Sequence, residues 1–283
     1  MPKFEANWKK LGPYLAIQVA AVLGVVLVGF SWKGLALAAA LFFVRVSGAT
    51  AGYHRYFSHR SFKTSRPMQL AIGVWANLTY MRGPLVWAAH HRYHHKHADA
   101  PADLHSPRQR GFWFSHTGWF VSREYDETRL LDVKDLQKFP ELVWLDRNYW
   151  IASTVLNLTL LLTLGWWAFV WGGLVSTVVT WHAIFLINSG AHTFGSRRFD
   201  TDDTSRNNPL LALLLLGDGW HNNHHFYMHS ARAGFRWWEV DITYYLLWTL
   251  ARVGLIWDLR PPPPPGYEAG SPVSKSTFQE PSA

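Results

Sequence analysis

The sequence predicts an all-α integral membrane protein: four transmembrane helices in two hairpins, under a helical cytosolic cap that holds a histidine-rich site for two metals. Three observations carry this reading. Residues 11–32 and 148–196 contain no Asp, Glu, Lys or Arg, and a helix crossing ~30 Å of hydrocarbon needs about 20 such residues. Fourteen Lys or Arg lie between Tyr53 and Arg147, while the candidate outer loops hold almost none; this is the positive-inside asymmetry, which places that segment in the cytosol. Finally, three histidine-rich stretches fall on that same side.

The first span is read at 13–30 and the second at 34–51, separated only by "SWKG", so they form a hairpin. A second hairpin follows at 149–168 and 171–189, with its turn at "VWGG". The loops 53–147 and 193–260 then make up the cap. Within them, 68–87 is apolar but interrupted by Arg82, Gly83 and Pro84, and 241–257 is aromatic with Arg252 inside; both read as helices lying in the membrane interface. Residues 1–260 form one domain. The tail from 261 to 283 has a polyproline stretch and no apolar periodicity, the pattern of a disordered segment. No small-residue cleavage site follows the first apolar run, so that helix is expected to be retained.

Composition closes several doors. There is no cysteine, so disulfides, thiolate zinc sites and cysteine-ligated clusters are excluded. The net charge of +8 follows the membrane asymmetry and is not a nucleic-acid footprint. Arg45, inside the second span, reads either as snorkelling toward the interface or as paired with a carboxylate beneath the site.

"HHRYHH" carries His91, His94 and His95 at i, i+3 and i+4, and "HNNHH" repeats the spacing with His221, His224 and His225. Such positions share one helical face. "HRYFSH" spaces His54 and His59 five apart, which converges only if a helix ends or bends there. "NSGAH" puts Asn188 and His192 at i and i+4. Nine histidines and one asparagine exceed what one metal binds and suit two, with four or five nitrogens each. Imidazole suits zinc, copper, iron and nickel, but a structural zinc site closes with four ligands and would leave half of these unused. Each ligand's other ring nitrogen needs an acceptor, for which Asp99, Asp103 and Asp218 lie nearest. His90, His97, His105, His116, His182 and His229 fall outside the spacing and read as locally hydrogen-bonded packing groups.

The order HxxxxH, HxxHH, HxxHH around two hydrophobic hairpins resembles the membrane fatty-acyl desaturases of the acyl-CoA (stearoyl-CoA Δ9) type, especially their bacterial branch. "TAGYHRYFSHRSFKTSR", "WAAHHRYHHKHADAPADLHSPRQRGFWFSHTGW", "NSGAHTFGSR" and "GDGWHNNHH" extend the likeness over most of residues 50–245. "HHFYMHSAR" departs from the family's usual segment after the last box. The resemblance implies a di-iron enzyme of a bacterial inner membrane that uses O₂ and two electrons to place a cis double bond in a saturated acyl chain, with acyl-CoA the favoured substrate. It assigns His54, His59, His91, His94, His95, His192, His221, His224 and His225 to the two irons, with Asn188 reaching one through water. An alkyl C–H offers no acidic proton, so a metal oxidant must do the chemistry, while a bent apolar tunnel selects the methylene at ~0.8 kcal/mol per buried CH₂. Trp87, one turn before His91, is the candidate tunnel wall. Arg55, Arg60, Lys63 and Arg66 are candidates for an anionic headgroup. The 23 residues after Arg260 hold no heme domain, so electrons are expected from a separate donor such as ferredoxin, rubredoxin or cytochrome b5 with a reductase. A di-iron hydroxylase would use the same ligands. A zinc-dependent membrane hydrolase needs fewer histidines, and a metal transporter needs ligands near the bilayer midplane.

Overall fold

The computed structural model describes residues 4–126 and 133–264, and these are helical apart from loops and one short pair of strands. Helix α1 (Trp8–Val28) starts where the Asn7 side chain accepts from the Lys9 N–H and stops at Gly29, whose φ of 75° a side chain would oppose. Its outer face is bare: Val22, Val26 and Leu27 are 65–77% exposed, as a lipid-facing surface must be. α2 (Trp32–Ser47), capped by Ser31, runs without a break into a π-helical stretch, Gly48–Ser58. α3 (Arg66–Asn77) and α4 (Pro84–His97) follow, then short α5 (Pro107–Arg110) and α6 (Lys134–Gln137), and α7 (Pro140–Arg147). α8 (Trp150–Leu164) is apolar; α9 (Trp166–Ala168), a π-helical segment and α10 (Ser176–Ser189) form one continuous rod. Short α11 (Pro209–Leu214) and α12 (His221–Phe226) and longer α13 (Ile242–Arg252) complete the chain, and strands β1 (Lys63–Thr64) and β2 (Ile256–Trp257) pair antiparallel.

Among the described residues, three helices are long and apolar enough to cross a membrane: Trp8–Val28, Trp32–Ser58 and Trp166–Ser189. The second extends well past the predicted end at 51 and thereby carries His54 and Arg55 on its last turns. The predicted turn at "VWGG" is not a turn. The chain reverses at Gly165, where φ is 89°, and the two glycines lie inside the following helix. A Cβ on Gly172 would sit 2.9 Å from Leu41, and one on Gly173 would sit 3.0 Å from Asn157. Gly-Gly here buys close helix contact, as small residues do in membranes, not a bend.

The predicted interfacial helix at 68–87 is also two helices. α3 ends at Asn77 and α4 restarts at Pro84, a residue suited to a first turn because its missing N–H would be unpaired there anyway. Asp146 caps α4 by accepting from the Leu85 and Val86 N–H groups at 2.9 and 3.0 Å. The other interfacial segment is helical only over Ile242–Arg252. Of the proline-rich tail, 265–283 lies outside the described residues.

Arg45 does neither thing expected of it. It is fully buried, and its guanidinium donates to Ser176 Oγ (3.1 Å), Ser153 Oγ (2.9 Å), Asn157 Oδ1 (3.4 Å) and the Leu78 carbonyl. Neutral dipoles from α8, α10 and the end of α3 solvate the charge where water cannot, so α2 is tied to three neighbours at one point.

Candidate metal centre and its cavity

The π-helix explains the HxxxxH spacing. Its backbone bonds close five residues back, and the His59 N–H donates to the His54 carbonyl at 3.2 Å. The helix ends at Ser58, between the two histidines as the spacing requires, and its last turns are widened, so positions five apart share a face. Arg92 pins its end by donating to the carbonyls of Phe57 and Ser58 (2.8 and 2.9 Å).

The nine histidines gather into two sets. His54, His59, His91, His95 and His224 form one; His94, His192, His221 and His225 form the other; within each, one nitrogen per ring lies within 4.8 Å of all the rest. The two HxxHH helices divide their ligands in opposite senses. α4 gives its i, i+4 pair (His91, His95) to the first set and His94 to the second. α12 gives His221 and His225 to the second set and His224 to the first. Each helix therefore bridges both sets.

Within the first set Nε2 atoms meet head-on: His54 to His224 at 3.0 Å, His224 to His95 at 3.0 Å, His95 to His91 at 3.0 Å and His91 to His59 at 2.7 Å. In the second set His192 and His221 approach Nε2 to Nε2 at 3.1 Å. Carboxylates fix the far nitrogens. Asp218 accepts from His54 Nδ1 (2.7 Å), Asp103 from His94 (3.1 Å), Asp99 from His192 (3.1 Å) and Asp203 from His225 (2.8 Å). With the proton on Nδ1, the Nε2 lone pair of each of these rings points into the set. His225 Nε2 is buried with no hydrogen-bond partner. Convergent lone pairs repel one another, and a cation relieves this, so the donor sets fit metals.

Electrostatics agree. Burial, reinforced by neighbouring imidazoles, holds His59, His91, His95, His221 and His224 well below their ordinary range, and pushes His225 down to about 4. They are neutral at pH 7, the form that binds metal. Burial alone would raise the four aspartates; the imidazoles they face hold each below its usual value.

A cavity, partly open at its mouth, reaches both sets. It is lined by His54, His91, His221, Asp218 and Asn188, and by Ala49, Thr50, Trp87, Ile184, Ile187 and Leu215. Trp87 stacks on His91 (centroids 4.9 Å) and on Tyr53 (5.4 Å), which fixes its plane against the cavity.

The proposed headgroup cations are placed differently. Arg55 is buried, donating to Asp218 (3.0 Å), Asp241 (2.9 Å) and the Ala231 carbonyl (2.7 Å); it faces the protein and cannot meet a headgroup. Arg60 pairs with Asp135, Lys63 with Asp258 and Arg66 with Glu141. Sequence reasoning missed Asp203, because only the path of the loop distinguishes it from Asp200 and Asp202. It also missed the asparagines of "HNNHH". Asn222 Oδ1 accepts from the Arg198 and Phe199 N–H groups, and Asn223 donates to Glu239 and to the Ala233 carbonyl, so both peg α12 in place. Among the histidines outside the two sets, His116 bridges Ser189 and His182, His182 reaches Gln18, and His90 stacks on Tyr125 at 4.0 Å.

Helices of membrane-crossing length, and buried histidine sets that meet at an apolar cavity, define a membrane metalloprotein acting on a hydrophobic chain. The family model for fatty acid desaturases matches residues 30–258. The chain is 36% identical over 259 residues to an sn-1 stearoyl-lipid 9-desaturase of Anabaena variabilis, covering 89% of this chain and 93% of that one. It is 38% identical over 249 residues to an sn-2 palmitoyl-lipid 9-desaturase of Nostoc, covering 85% and 86%. To an acyl-CoA 5-desaturase of Anemone leveillei it is 39% identical over 239 residues, covering 82% and 74%. The chain belongs to the fatty acid desaturase family: it is a membrane oxidoreductase that desaturates fatty acyl chains.

Proposed function

We propose that this chain is an O₂-dependent di-iron desaturase that places a cis double bond at the Δ9 position of a saturated acyl chain. One observation carries the reading: a single cavity is walled by histidines of both sets on one side and by Trp87, Ile184, Ile187 and Leu215 on the other. The five-histidine and four-histidine sets would each hold one iron, with Asn188 at the cavity wall joining one of them through water. Iron bound there supplies the oxidant for an unactivated C–H bond. The stoichiometry is one O₂, two electrons and two protons, with two hydrogens leaving adjacent methylenes as part of two waters. The protein's own share is positioning. The apolar wall excludes water and holds the chain so that one methylene pair faces the histidines, while the aspartates keep the imidazoles in one tautomer. The hydroxylase reading uses the same ligands and differs only in its product.

The rim supports a lipid-linked carrier. With Arg55 turned inward and Arg60, Lys63 and Arg66 each facing a carboxylate, a lipid-linked acyl chain fits this surface better than CoA, in keeping with the two lipid desaturases above; the acyl-CoA 5-desaturase relative supports CoA as the second reading. Residues 1–260 act as one domain in a bacterial inner membrane, with the histidines on the cytosolic side. α8 serves as a fourth crossing: its 15 residues span about 22 Å, and Trp150 and Trp166 stand at its ends as interfacial anchors. A small diffusible electron carrier delivers the electrons.

Expression with an iron source, a ferredoxin and its reductase in cells without a desaturase, followed by mass spectrometry of each lipid class, tests this. A new monoenoic acid is expected, appearing first in intact glycerolipid. Its first appearance in acyl-CoA selects the second reading, and a hydroxy acid selects the hydroxylase. No new product refutes the proposal.

A further inference from the structure

The two histidine sets are backed by very different charge. Behind the four-histidine set stand three carboxylates, Asp99, Asp103 and Asp203, each bonded to a ligand Nδ1. Their remaining partners are neutral hydroxyls and backbone N–H groups, apart from His105, which lies 3.9 Å from Asp103. Among the described residues no Lys or Arg forms an ion pair with any of the three. Among the described residues, His54 alone of the five-histidine set meets a carboxylate, Asp218, which also pairs with the Arg55 guanidinium, itself shared with Asp241. His59, His91, His95 and His224 face no carboxylate within ion-pair distance among the described residues. Nearby, Arg60 and Arg92 both pair with Asp135.

Resting on the dimetal reading above, we propose that the two sites are inequivalent: the four-histidine set is the tight site, filled first and lost last, and the five-histidine set is the weak one whose occupancy limits the assembled centre. A carboxylate behind a metal-bound imidazole raises the ligand's basicity, and losing one costs 10–100-fold in metal affinity. Among the described residues, three carboxylates that face no Lys or Arg, against one that shares a guanidinium with Asp241, outweigh the one extra neutral donor. Zinc suits the comparison because it takes four ligands in such sites and gains little from a fifth. The same negative charge favours the more oxidised state of a bound iron, so the two irons are electronically distinct.

The test uses the full chain in nanodiscs, stripped of metal and titrated with zinc(II) against a competing chelator, with bound zinc counted per chain. The expected result is two ions differing in dissociation constant by at least 100-fold. His59→Ala removes only the weak ion. Asp203→Asn weakens only the tight ion, by 10–100-fold. In the iron-loaded protein, ⁵⁷Fe Mössbauer spectra show two resolved doublets, of which His59→Ala keeps one. Two ions of equal affinity, or loss of the tight ion in His59→Ala with the weak one retained, overturn the inequivalence and leave the dimetal reading standing. A parent chain that binds fewer than two ions at saturation overturns both.

Discussion

Replacing Ala49 with leucine tests whether the cavity is the acyl channel. Ala49 lines the cavity and is 3% exposed, with packed protein on its remaining sides, so three added carbons must take their space from the channel. They displace about three substrate methylenes. At ~0.8 kcal/mol per buried CH₂ the loss is about 2.4 kcal/mol, or roughly 50-fold in the use of a chain that fills the cavity. A chain about three carbons shorter fits the reduced space and keeps its rate. The assay is a competition among saturated chains of graded length, with products resolved by mass spectrometry and metal counted in the same preparation. A shift in preferred length at unchanged metal content is expected. Unchanged preference in a variant that still holds two ions refutes the assignment of the cavity.

Four further outcomes follow from the geometry. Gly219→Ala would drive its Cβ into the backbone of Ala212 and Leu211, beside Asp218 and His221; a loss of about 3 kcal/mol or more and loss of metal are expected by thermal melting and metal analysis, whereas Gly12→Ala, with open space around it, should be neutral or stabilising by up to ~1 kcal/mol. Asp218→Asn leaves Arg55 bonded to Asp241 and Ala231 but makes one amide oxygen serve both His54 and Arg55; a stability loss of about 3 kcal/mol is expected in the melt, and an unchanged midpoint would contradict the bridging role. Arg45→Met should cost under ~2 kcal/mol despite the full burial of the charge, because Ser153 Oγ still donates to the Leu78 carbonyl and Ser176 Oγ to that of Gly172. Acid should weaken the metal-free protein: the unfolded chain takes up protons as pH falls through 6.5 while buried His225 resists until about 4, so stability present above pH 6.5 is lost as pH falls toward 4, by about 3 kcal/mol from that group. His94 works the other way: burial would lower it, yet Asp103 raises it. Melts at pH 7.5 and 5 that coincide would count against the neutral-histidine account.

The nine metal-ligand candidates were legible along the chain because helical spacing is a local property: HxxHH puts three imidazoles on one face wherever it folds. Charge-free runs likewise announced membrane helices, since a soluble domain seldom runs 49 residues without a charge. Other features depended on partners. Whether "VWGG" turns or packs was decided by Leu41 and Asn157, which come from elsewhere. Whether Arg55 faces a headgroup or Asp241 was decided by α13, nearly two hundred residues away.

What the sequence determined by itself was which side chains could serve as ligands and which segments would leave water, because both follow from residue type and short-range periodicity. The tertiary structure decided how the nine rings divide into sets of five and four, which four rings have an aspartate behind them, and where the greasy cavity meets them. Those are matters of distance between remote segments, and only packing sets such distances.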